Sequence, residues 1–333
     1  MFNSKILKVK AFLIDLIFWI YLIGCLRFLT NQWFGYILRV EFHAIISLLL
    51  TLFFLFWKKS LGYRFMIATK PKPKRWFRST WGWLIVIVLL VTFFVGWQVV
   101  EVDLYKFFTN VQNTRGILSG LFSPNFKILI PMLKALAETI YLALLATIFA
   151  IPFAFVLSFF AARNLMPKNT AGTSVYILIR TIATFFRSVE PIVWAIIFTV
   201  WVGIGPFAGM LALMVHSIAA LTKLYSEQIE NIDEGPVEAI TATGASRLQI
   251  WIYAVIPQIL SPYLAFTIYR WDINVRMATI VGFVGGGGIG LALMQQQQLL
   301  RWHNVGLIIW LIAIVVWLMD MISGKIRSKL LEK

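Results

Sequence analysis

The stretch EAITATGASRLQIWIYAVIP, Glu238 to Pro257, interrupts two long apolar runs and follows an acidic lead-in. Asp233 is placed to cap a helix starting near Pro236: an Asp side chain accepts from backbone N–H groups at a helix start, and proline is tolerated in the first turn. Gly244 permits a left-handed turn without a Cβ penalty. Ser246 is placed to cap a second helix whose apolar side includes Leu248, Trp251, Ile252 and Val255. Pro257 then marks the return to the apolar run. The expectation is a short helix, a turn and a second helix lying across one face of a membrane. On spacing alone, an ordinary amphipathic connector fits as well.

The chain around this segment is apolar. Of 333 residues, 60% are hydrophobic and 13% charged, against roughly a quarter charged in soluble domains. Mean hydropathy is +0.83. Several runs reach the ~20 apolar residues that cross a bilayer core, so the fold class is an all-α polytopic membrane protein. Cys25, the single cysteine, excludes a disulfide framework or a cysteine-based zinc site. His43, His216 and His303 form no metal pattern. The N-terminal run is long and lacks a small-residue cleavage site, so it reads as a retained span.

Eight spans are expected, near 11–30, 41–57, 81–99, 137–161, 176–202, 206–226, 258–283 and 305–323. Lys and Arg crowd 58–80 and both termini. The positive-inside rule therefore places both termini in the cytoplasm, and the 58–80 stretch is also suited to contact with anionic lipid. The net charge of +16 follows from loops of this kind; nucleic-acid binding is disfavoured, because the basic residues flank spans and line no single soluble face. Residues 1–60 read as an accessory hairpin, 61–80 as a basic linker, and 81–136 as a third span with an interfacial amphipathic helix. Residues 137–323 read as the core, containing the loop 227–257, and 324–333 as a tail.

Charges inside the spans mark function or interior pairing, since each costs at least ~2.5–3.5 kcal/mol at the bilayer centre. Arg187 and Glu190 are three apart, on one face if the helix continues, and Pro191 follows as a candidate break. Arg270, Asp272, Asn274 and Arg276 share one span, with Asp272 and Arg276 spaced to pair. Counting Arg180, these two spans hold four arginines against two acids, a surplus suited to passage of an oxyanion. Internal locking of helices by ion pairs is the competing reading. An intramembrane enzyme using Glu190, Asp272 or His216 lacks a nucleophile–base set or metal spacing, so no catalytic residue is assigned.

Glu238-Ala239-Ile240, three residues, Gly244, nine residues, then Ala254-Val255-Ile256-Pro257 resembles the E-A-A loop of ABC-importer permeases. Ile240, Ala254 and Ile256 depart from that pattern, each by an apolar replacement. The resemblance implies that Glu238, Ala239, Gly244, Ala245, Ser246 and Pro257 belong to a coupling helix docking on a separate ATPase. VWAIIFTVWVGIGPFAGMLAL (193–213) and YRWDINVRMATIVGFVGGGGIG (269–290) resemble the phosphonate-type permeases, over about 135–323. That likeness implies a five-helix type I core preceded by additional N-terminal helices, in a prokaryotic inner membrane. It also implies a second permease copy, two ATPases carrying ATP and Mg, and an extracytoplasmic binding protein. The implied substrates are phosphonate, phosphite or phosphate-type oxyanions. Arg187, Glu190, Arg270, Asp272, Asn274 and Arg276 are then the pathway candidates. No Walker-type G-x-x-x-x-G-K-[ST] occurs in the chain, so nucleotide chemistry and its cofactors fall to a partner. GGGGIG, Gly285 to Gly290, fits a dinucleotide motif only formally and reads as backbone that bends or packs closely. An ATP-independent anion channel or transporter is the alternative, and the acidic loop speaks against it.

Overall fold

The computed structural model describes residues 2–34, 40–56, 61, 63, 80–167 and 169–331. The basic 58–80 stretch, with its topology and lipid readings, falls almost wholly outside them. The described residues are helical throughout, without a strand. They form two compact units, Met1–Asn110 and Val111–Lys333.

In the first unit α1 (Phe2–Phe34) packs against α2 (Val40–Phe56) and α3 (Thr80–Val99). Trp19 stacks on Phe54 at 5.0 Å between ring centroids. His43 Nε2 reaches the Ile20 carbonyl at 3.0 Å, and the Tyr21 and Thr92 hydroxyls meet at 2.6 Å. Ser47 and Thr51 are buried and donate to carbonyls four residues back, so neither leaves an unmet hydroxyl. A short α4 (Leu104–Thr109) follows, capped by Asp103, whose Oδ1 accepts from the Lys106 N–H at 2.8 Å.

The second unit opens with α5 (Arg115–Phe122). The amphipathic segment expected over 100–136 is therefore two short helices joined by a 3-10 turn. The second of them docks on a span. Trp310 Nε1 donates to the Leu121 carbonyl at 2.8 Å, and a Cβ on Gly306 would lie 2.0 Å from the Gly120 carbonyl oxygen. Only glycine permits that approach.

The remaining helices are α6 (Leu129–Ala161), α7 (Thr170–Ser188), α8 (Pro191–Val202) and α9 (Pro206–Glu230). After them come α10 (Glu234–Ala242), α11 (Arg247–Ile250), α12 (Ile256–Gly282), α13 (Gly288–Gln298) and α14 (Trp302–Leu331). The centre of the unit is the α6–α9 pair. Ala143, Ala146, Ala150 and Ala154 of α6 are fully buried, as are Ala208 and Ala212 of α9. Small side chains let two backbones come close in lipid, where dispersion and not water expulsion drives association.

The eight expected spans fall on helices, but fewer of those helices qualify as membrane spans. Five helices are long and apolar enough to cross a membrane, and two bent pairs raise the number to seven; α2, with 17 residues, sits at the short limit. The span expected at 176–202 is broken. α7 and α8 meet at 87°, because Pro191 lacks an N–H and drives Glu190 into extended backbone, φ −61 and ψ 145. An unforeseen short helix, α13, follows the glycine cluster, whose Gly287 and Gly288 have φ of +78 and +66. There the chain turns back on itself, and a Cβ on Gly290 would lie 2.0 Å from the Thr279 carbonyl oxygen. The cluster thus bends and packs closely, as its sequence implied.

Gly290→Ala is expected to force α12 and α13 apart at a cost of about 1–3 kcal/mol. It should lower the melting temperature of the purified protein, while Gly324→Ala, where a Cβ meets nothing within 4 Å, leaves it unchanged.

Candidate functional site

Two places carry the residues singled out by the sequence. The first is the interrupted segment. Asp233 caps α10, its Oδ1 accepting from the Gly235 N–H at 3.1 Å, and Gln258 braces the cap by accepting from the Asp233 N–H at 2.9 Å. Gly244 takes φ +78, the left-handed turn read from the sequence. Ser246 caps α11 in a capping box with Gln249, whose Oε1 accepts from the Ser246 N–H at 2.7 Å.

The second helix departs from expectation. α11 does not lie separately across the surface. It runs through a π-turn, Trp251–Val255, straight into α12, making one 36-residue helix from Arg247 to Gly282. At ~1.5 Å per residue this helix is ~54 Å long, well beyond a ~30 Å hydrocarbon core. Pro257 sits in the first turn of α12, and the wider π-turn just before it loosens the ladder that its missing N–H would interrupt. The segment is seated by Trp251 against Phe159, 5.0 Å between centroids, and by Val255 beside Ile229 and Ile259.

The acids that crowd 227–238 divide into two groups. Glu230 pairs with Arg180 at 2.8 Å and accepts from the Arg163 N–H at 2.9 Å. Glu227 pairs with Lys223 at 3.5 Å, and Asp233 is the cap. Glu234 and Glu238 remain exposed and outside any ion pair among the described residues, together with exposed Ala239, Gly244, Ser246 and Pro257 and half-buried Ala245. Leu248 and Ile252 are exposed beside them. The result is a rigid, capped helix-turn surface that is apolar with an acidic margin.

The second place is the polar interior of α12, where the four candidates do not share one face. Residues two apart on a helix point about 200° away from each other. Arg270 and Asn274 turn inward to α6 and α9. Arg270 Nε donates to Ser217 Oγ at 3.1 Å, and Asn274 Nδ2 donates to Ser217 Oγ at 2.8 Å and to Thr147 Oγ1 at 2.9 Å. Asp272 and Arg276 lie on the other side, paired at 2.7 Å. Asp272 is 1% exposed. Asp320 and Arg327 of α14 act on its charge, and Arg327 stacks over Tyr269 at 4.9 Å. The ion pair lies within α12 itself, and the contact of that side with α14 is Arg327 over Tyr269.

Arg187 and Glu190 do not share a helix face either. The break separates them, leaving Arg187 in the last turn of α7 and Glu190 as the N-cap residue of α8. No ion pair joins them among the described residues. Arg180 belongs to the end of α9 through Glu230, so the arginine surplus of these two spans falls from two to one. Ser217 and Thr147 escaped the sequence reading because hydroxyls in apolar helices commonly bond their own backbone. His216 was legible as an ionisable group within an apolar run. Its Nδ1 bonds the Val189 carbonyl at 3.1 Å, at the break itself.

Residues 154–327 match the family described as the binding-protein-dependent transport system inner membrane component. The chain belongs to that family. It is a multi-pass membrane protein and a permease subunit of an ABC transporter, of the phosphonate-type branch that its loop and glycine cluster resemble. A phosphite transport system permease protein of Stutzerimonas stutzeri is 33% identical over 244 residues, covering 73% of this chain and 87% of the relative. A phosphate-import permease protein of Mycolicibacterium smegmatis is 32% identical over 244 residues, covering 73% of this chain and 45% of the relative. The fold of the permease is similar to that of the methionine ABC transporter in inward-facing conformations. The TM-score is 0.53 at 21% identity, over 62% of this chain and 99% of that one.

Arg276→Gln is expected to cost the permease about 3–5 kcal/mol, because it strands a buried carboxylate. The double variant with Asp272→Asn should recover much of the loss. Thermal melting of the purified single and double variants checks this; equal destabilisation in the two would remove the pairing role.

Proposed function

We propose that this permease moves phosphorus oxyanions of the phosphonate, phosphite or phosphate class into the cell, driven by ATP hydrolysis on separate ATPase subunits. The observation that carries this reading is the likeness to phosphite and phosphate permeases over nearly three quarters of the chain, coupled to a capped and exposed docking segment. In this reading Glu238, Ala239, Gly244, Ala245, Ser246 and Pro257 present α10 and the turn after it to an ATPase. ATP and Mg belong to that partner.

Two permease copies, two ATPases and an extracytoplasmic binding protein complete the assembly. Both termini and the docking segment face the cytoplasm of a prokaryotic cell, in line with the lysine and arginine excess at both termini and in 58–80. ATP binding closes the ATPase pair and pushes on α10. The continuous helix from Arg247 to Gly282 then carries that displacement into the membrane as a stiff lever. The transporter needs two discrete arrangements and no catalytic side chain of its own. An ATP-independent channel would have no use for such a lever.

Of the six pathway candidates, the reading keeps Arg187, Glu190, Arg270 and Asn274 near the route. It assigns Asp272 and Arg276 first to each other, within α12.

Gly244→Val is expected to unseat the ATPase, since a β-branched residue resists φ +78. Co-purification from native membranes should lose the ATPase while the permease remains folded. Vesicles holding the intact assembly should accumulate labelled phosphite only with ATP inside and loaded binding protein outside; accumulation without ATP would favour the channel.

A further inference from the structure

The break between α7 and α8 gathers groups that helix packing does not account for. Arg270 is 6% exposed. Its Nε is held by Ser217, but its Nη2 is buried without a hydrogen-bond partner among the described residues. His216, the neighbour of Ser217 on α9, faces the Val189 carbonyl with Nδ1. A carbonyl only accepts, so Nδ1 carries the proton and Nε2 of the neutral ring is an acceptor, able to take the P–OH proton of a singly ionised oxyanion. Glu190 follows Val189. It is exposed, makes no cap hydrogen bond, and stands in no ion pair among the described residues. His216 bonds the residue before Glu190 and is the chain neighbour of the Ser217 that holds Arg270, and Arg187 ends the helix before the break, so all four residues flank the start of a half-helix whose positive end favours anions.

A guanidinium taken out of water is costly unless an anion compensates it. Arg270 is not paired as Arg276 is, although both sit on the same helix. Its outer end is also fixed in direction, because Ser217, Asn274 and Thr147 hold its inner end. Resting on the permease reading above, we infer that Arg270, Arg187 and His216 form a contact station for the travelling oxyanion at this break, and that Glu190 is the carboxylate that displaces it.

The chemistry is an exchange of anions. When an oxyanion arrives it bonds Arg270 Nη2 and repels the Glu190 carboxylate. When it leaves, Glu190 swings from its exposed position to Arg270, a contact it does not make among the described residues, so that the guanidinium is compensated between passages. With Nε taken by Ser217, the oxyanion meets only the Nη end of Arg270, which keeps capture weak enough for release. Glu190 is suited to move because it sits on extended backbone between two helices.

The test uses the full assembly of permease, ATPases and binding protein in vesicles, with labelled phosphite as probe. Arg270→Gln is expected to reduce uptake at least about tenfold by removing a charge-assisted contact. Hydrolysis of ATP stimulated by the loaded binding protein should persist, because the docking segment is untouched. Glu190→Gln is expected to retain several-fold more phosphite on the solubilised assembly after gel filtration and to slow uptake. If the natural sequence transports phosphite and both variants match it in uptake and retention, the station is overturned and the permease reading stands. If the natural sequence transports neither phosphite, phosphate nor methylphosphonate, both are overturned. Should Arg270→Gln fail to assemble, Glu190→Gln decides alone: its side chain is exposed, and unchanged retention would overturn the station.

Discussion

In hydrocarbon a helix has little to gain from a neighbour except close contact, and close contact needs small side chains. The alanine seam between α6 and α9 supplies it. Ala143, Ala146, Ala208 and Ala212 are fully buried in one cluster with Leu213, Val275 and Val281. The same requirement recurs at Gly120 against Gly306 and at Gly282 against Gly290. Each is a place where a methyl group would collide with backbone, so the positions of the spans are dictated by where side chains are missing.

That tight frame lets polar groups be carried inside. Hydroxyls and amides at Thr147, Ser217 and Asn274 bond one another across three helices, which removes their need for water. The same network grips one end of Arg270. On the far side of α12, Asp272 Oδ2 pairs with Arg276 of the same helix, and Arg327 of α14 stacks over Tyr269. One helix thus serves two tasks, since successive polar positions fall on opposite faces. The paired face is satisfied within the helix and the other face leaves a cation available.

Continuity distinguishes the interrupted segment. α11 is too short to stand alone, and it does not. The π-turn splices it to α12, so one unbroken helix runs from just beyond the Gly244 turn past Arg270. Asp233, Gln258 and Gln249 tie down the other end. The exposed acids Glu234 and Glu238 are left at the margin because Glu227, Glu230 and Asp233 are already engaged by Lys223, Arg180 and the α10 cap.

The sequence alone determined the membrane class, the Gly244 turn and both helix caps. Those features are local: hydropathy, a positive φ and a side chain two or three residues from the backbone it caps. It also brought forward the charges of α12. It did not show that Arg270 and Asp272 part to opposite faces, that Pro191 separates Arg187 from Glu190 by an 87° bend, or that Trp251–Val255 joins two expected helices into one. Ser217 and Thr147 carried no signal, because a hydroxyl in an apolar run looks alike whether it bonds its own turn or a guanidinium from another helix. Tertiary structure decided these points, since only packing selects the helix face that meets a neighbour and whether a proline ends a span or merely bends it.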